Sequence, residues 1–83
     1  MFIAQAGELR HLNQAIRTVV RATRLECDLS QQELAVRLHV SRNVIANFET
    51  GRRSIRAEEL PLIATALRGT PETLFKRILA WIA

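Results

Sequence analysis

The residues best equipped for chemistry lie close together, in Arg42-Asn43-Val44-Ile45-Ala46-Asn47. At helical spacing Val44, Ile45 and Phe48 turn inward, which leaves Arg42, Asn43, Ala46 and Asn47 as a polar outer face. An arginine fork matches O6 and N7 of guanine, an asparagine amide matches N6 and N7 of adenine, and an alanine methyl can meet the thymine methyl. Arg52, Arg53, Ser54 and Arg56 follow directly. From Arg42 to Arg56 four Arg face one acid, Glu49, a local charge of +3. Such a loop suits phosphate oxygens, although a solvated surface would have the same composition.

Other chemistries find little support. His11 and His39 are the only histidines, and no carboxylate pair, nucleophile with a base or glycine-rich phosphate loop is recognisable. The sequence therefore predicts no enzyme, no cofactor and no metal site. Cys27 is the only cysteine, so an internal disulfide is impossible and an inert buried thiol is the expectation. That usage suits a reducing cytoplasm. No apolar run approaches the length of a membrane span, and no secretory signal is recognisable.

Positioning these residues requires helices. Leu9, Leu12, Ile16, Val19, Val20 and Thr23 recur every three or four residues, with Arg10, Arg17, Arg21 and Arg24 between them, and predict a first helix from about Glu8 to Cys27. Phe2 and Ile3 either dock on the core or fray. Ser30-Gln31-Gln32-Glu33 is a capping box that starts a second helix, whose buried face is Leu34, Ala35 and Leu38. After His39-Val40-Ser41 a third helix begins, with Ser41 as its N-cap and Gly51 at its end. A fourth helix carries Leu60, Leu62, Ile63, Ala66 and Leu67; Pro61 confines its regular part to begin at about Glu58 to Leu60, and Gly69 breaks it. Thr70-Pro71-Glu72 opens a fifth, with Leu74, Phe75, Ile78, Leu79, Trp81 and Ile82.

Eighty-three residues, 48% hydrophobic and 5% aromatic, fit one small helical domain over 1–83. The formal charge is +4, and eleven of the twelve basic residues are Arg, Lys76 being the exception. Arginine is the cation that forks onto phosphate and base edges, but genomic base composition produces the same bias. Charge by itself does not settle the partner.

The segment LSQQELAVRLHVSRNVIANFETG, Leu29 to Gly51, resembles the helix-turn-helix of the Cro and phage-repressor proteins, the lambda-repressor-like or XRE-type family. Val20-Arg21-Ala22-Thr23-Arg24 upstream and LPLIATAL, Leu60 to Leu67, downstream keep the same register, so the resemblance covers roughly Val20 to Phe75. It implies an all-α, five-helix bundle whose helix-turn-helix spans about 30–51. The family usually has Gly where this chain has Asp28 and His39. Both positions then need positive φ, which Asp and His tolerate at a cost of about 1 kcal/mol.

The resemblance also implies roles. Arg42 and Asn43, with Asn47 and Ala46 a turn later, would read base edges. Gln31, Ser41, Arg52, Arg53, Ser54 and Arg56 would hold phosphates. Arg24 and Glu49 would form a buried structural ion pair away from DNA. The fifth helix, about 70–83, carries more apolar surface than one small core uses, and Phe75, Leu79, Trp81 and Ile82 read as a homodimer face. The expectation is a homodimeric, sequence-specific regulator of double-stranded DNA acting at a palindromic operator, bacterial or phage-encoded. The second reading is an antitoxin or other interaction protein whose apolar tail binds a toxin or another partner.

Overall fold

A computed structural model describes residues 6–83, with five α-helices and no strand among them. They are α1 (Ala6–Glu26), α2 (Gln31–Leu38), α3 (Arg42–Thr50), α4 (Leu60–Ala66, entered through a 3-10 turn at Ala57–Glu59) and α5 (Pro71–Ile82). The question of Phe2 and Ile3 lies outside the described residues.

α1 buries Ala15, Val19 and Val20, and at its inner end Arg24. Its last turn closes at Glu26 rather than Cys27. Asp28 turns left-handed at φ 56°, and the Leu29 amide returns to the Arg24 carbonyl at 3.1 Å. Cys27 is half-buried rather than enclosed, and its thiol donates to the Leu67 carbonyl at 3.3 Å.

At the start of α2 both arms of the capping box are made. The Glu33 amide donates to Ser30 Oγ and the Ser30 amide to the Glu33 carboxylate, each at 3.0 Å. The bond from the Ser30 amide is the leading reason the Glu33 carboxyl sits below its ordinary range. His39 ends α2 at φ 57°, and the Val40 amide reaches back to Ala35 at 3.0 Å. Ala35 is fully buried where α2 meets α3, so the absence of a longer side chain sets their close approach. Ser41 occupies the N-cap of α3 with extended backbone, but its hydroxyl makes no cap bond. Gly51 ends α3 at φ 82°, a conformation that glycine adopts without strain.

Val20, Leu34, Ile45 and Ile63 meet at the centre, one each from α1 to α4. Each contributes about 1.5–3 kcal/mol by leaving water. Leu74 and Ile78 close the core from α5. Side-chain ties hold the periphery. Arg77 on α5 donates to Thr23 at 2.7 Å and pairs with Glu26 on α1. Arg37 on α2 caps α4 through the Ala66 carbonyl at 2.9 Å.

The structure departs from the periodicity in places. Leu62 points out of α4, 63% exposed, because Ile63, Ala64 and Leu67 already fill the side facing the core; Leu12 on α1 is also exposed. Ile55, inside the basic loop, is buried and anchors that loop to the core. After α4 it is Arg68, at φ 61°, that turns left-handed, rather than Gly69. Ile82, expected in the dimer face, packs against the chain's own core.

Candidate nucleic-acid interface

α3 is fixed from behind by Ile45 and Phe48, both buried. Its opposite face is open. Arg42 and Asn43 are exposed, Ala46 and Asn47 half-buried. None of the four engages another side chain through a hydrogen bond or salt bridge among the described residues. Thr50 continues the same face one turn beyond Ala46, its hydroxyl donating to the Ala46 carbonyl at 2.9 Å. The spacing that leads from Asn43 to Asn47 runs on to Thr50 and marks it as a further member of this face.

The orientation of α3 is secured by Glu49. Arg24 holds it with two parallel bonds, Nε to Oε2 at 2.6 Å and Nη2 to Oε1 at 3.0 Å, while Nη1 donates to the Leu29 carbonyl at 2.7 Å. Gln31 Nε2 donates to the same Oε1 at 3.0 Å, and Arg21 Nε stands 3.9 Å away. One carboxylate thus joins α1, α2 and α3. Burial pushes the Glu49 carboxyl up, but the bonds from Arg24 and Gln31 and the charges of Arg24 and Arg21 outweigh it, and the acid lies below its ordinary range. Gln31, assigned to phosphate by resemblance, has its amide turned to Glu49. A primary amide has two N–H groups, so one donor stays free for a second acceptor.

The loop after α3 divides its cations. Arg52, Ser54 and Arg56 are exposed. Arg53 is drawn inward: Nη2 meets Glu59 at 2.9 Å, and Cζ lies 4.5 Å from the centre of the Phe48 ring. Glu59 also accepts from the Arg56 amide at 2.8 Å. Burial raises the Glu59 carboxyl, and Arg53 and the Arg56 amide more than reverse this, leaving it lowered. The loop is therefore shaped before any ligand arrives.

On α5, Phe75 and Leu79 are about half exposed, at 52% and 49%, one turn apart. Trp81 is 40% exposed and lies against His11, ring centres 5.5 Å apart. An apolar groove of about 200 Å³ runs beside Phe75, lined by Ala57, Leu60, Pro61 and Leu74.

The model of the helix-turn-helix family matches residues 20–74. No curated sequence matches the chain. Among solved structures, the restriction-modification controller protein C.Esp1396I is 25% identical, with a TM-score of 0.81 over 86% of this chain and 93% of that one. A structure of the same protein as a tetramer on its natural 35 base-pair operator gives 25% identity and a TM-score of 0.80, over 86% and 93% of the two chains. The clp gene regulator ClgR from C. glutamicum is 24% identical, with a TM-score of 0.78 over 87% and 94%.

Proposed function

Because this chain belongs to the helix-turn-helix family of DNA-binding regulators, we propose that α3 enters the major groove of a specific operator as the reading element of a homodimeric transcriptional regulator. The observation that carries this is the free outer strip of α3, with Arg42 and Asn43 open to solvent at its start and uncommitted to internal partners. Arg42 pairs with guanine, Asn43 and Asn47 with adenine, and Ala46 packs on a thymine methyl. Gln31, Ser41, Arg52, Ser54 and Arg56 take backbone phosphates and set the register. The unbonded Ser41 hydroxyl fits that role. Arg53 contributes less directly, by shaping the loop.

The half-exposed Phe75, Leu79 and Trp81 form the two-fold contact. A two-fold dimer places its reading helices roughly 34–36 Å apart, which predicts a palindromic site. The solved controller protein, a tetramer on its operator, supports regulation by occupancy of operator DNA. The same apolar face favours a second reading, in which α5 binds a different protein such as a toxin.

Selection of bound sequences from random duplexes tests the proposal. Enrichment of a palindrome with half-sites about one helical turn apart is the expected result. Recovery of unenriched DNA, or of none at modest salt, would overturn it.

A further inference from the structure

A row of polar residues runs along α1 at three- and four-residue intervals: Arg10, Gln14, Arg17, Arg21 and Arg24. At the inner end Glu49 neutralises Arg24 and draws on Arg21. Farther out, no carboxylate among the described residues from Arg10 onward lies within ion-pair distance of Arg17 or Arg10. Between them and the loop after α3 opens a cleft of about 400 Å³. Gln14 and Ser54 add hydrogen-bonding groups to its wall and Phe48 and Ile55 its apolar part, and from Arg10 onward no acid among the described residues lines it.

Arg17 is half-buried. A cation partly withdrawn from water without a counter-ion loses hydration that an entering anion restores. Its guanidinium lies on the backbone where α3 ends: a β-carbon at Gly51 would stand 3.2 Å from Arg17 Cζ and 3.3 Å from Nε and Nη1. Gly51 thus provides the left-handed turn and also the room for the fork. The cleft shares Ser54 with the proposed phosphate-binding loop, and Gly51, which also lines it, immediately precedes Arg52 in the chain.

We propose that this cleft receives a backbone phosphate of the bound duplex, with Arg17 as its fork and Arg10 at its outer rim. This rests on the DNA-binding reading, and extends the phosphate track from the loop onto α1. A free phosphorylated molecule offers the same oxyanion, so the test separates the two sources.

Phosphate contacts ignore sequence, so affinity for a short random-sequence duplex is measured across a salt series. Arg17→Gln and Arg10→Gln should each flatten the logarithmic salt slope by about 0.9, and the double variant by about twice that. Arg17→Lys keeps the charge and should keep the slope; circular dichroism verifies folding of each variant. Slopes equal to that of the native protein overturn the proposal. So does inorganic pyrophosphate that raises the melting temperature of the native chain but not of Arg17→Gln while the slopes stay equal, since the site then takes a free anion. A native protein indifferent to duplex DNA gives a different signature, and removes the DNA-binding reading itself.

Discussion

Arg42 and Glu49 lie on the same short helix and do opposite work. Arg42 is open to water; replacing it by Ala should weaken operator binding by about 1–3 kcal/mol and leave random DNA nearly unaffected. Competition titrations check this, and equal losses on both DNAs would take Arg42 out of the reading set. Glu49 faces inward, its side chain 4% exposed and that of Arg24 8%. Glu49→Gln leaves the Arg24 guanidinium buried without its counter-charge, and should lower stability by about 3–5 kcal/mol in urea titrations. The pair also sets a pH dependence. The Glu49 carboxyl is lowered in the folded chain, so its stabilisation is complete above the range of a free glutamate, about 4.3, and drains away as pH falls through the folded value. The melting temperature should therefore fall more steeply below about pH 4 for the native chain than for Glu49→Gln. The proposed phosphate ligands separate by the same logic. Arg52→Ala should reduce the salt slope by about 0.9 without loss of stability, whereas Arg53→Ala, which strips Glu59 and Phe48 of a partner, should cost stability as well.

At the scale of elements, the corners are as informative as the helices. His39 turns left-handed between α2 and α3 at φ 57°. His39→Gly should relieve strain and raise stability by roughly 0.5–1 kcal/mol, read as a higher urea midpoint; an unchanged or lower midpoint would mean the imidazole earns its place there. The place of this turn, the capping box at Ser30 and the proline start of α5 were legible in the sequence, because each depends on residues a few positions apart. Asp28 and His39 could be assigned left-handed backbone only through the resemblance. What escaped depends on packing across the chain. Ile55 is one apolar residue among arginines, and only its seat against the core gives it meaning. Leu62 carries a hydrophobic side chain on the wrong side of a seven-residue helix, where other residues fill the interior first. Gln31 and Glu49 are eighteen positions apart, and their bond exists because α2 and α3 cross over Ala35. The open face of α3 was readable from spacing, while the inward turn of Arg53 needed the position of Glu59.

The whole molecule is small for the apolar surface it carries. Phe75 and Leu79 stand in water on α5 although Leu74 and Ile78 beside them are buried. Under the proposed pairing, Phe75→Glu should yield monomers by light scattering and weaken operator binding, while helix content stays near native. A dimer that survives the substitution would move the contact elsewhere. The native melting temperature should rise with protein concentration, since association favours only the folded form.

The cations along α1, on α3 and in the following loop are all guanidinium groups, and the single lysine, Lys76, sits on α5. Acyl transfer to lysine side chains, which silences many basic surfaces, therefore has no target on the side proposed to meet DNA. Its only lysine target follows Phe75 in the chain, on the helix proposed to pair two subunits. Under the proposed pairing, acetylation would act on assembly and leave every guanidinium proposed to hold phosphate chemically unchanged.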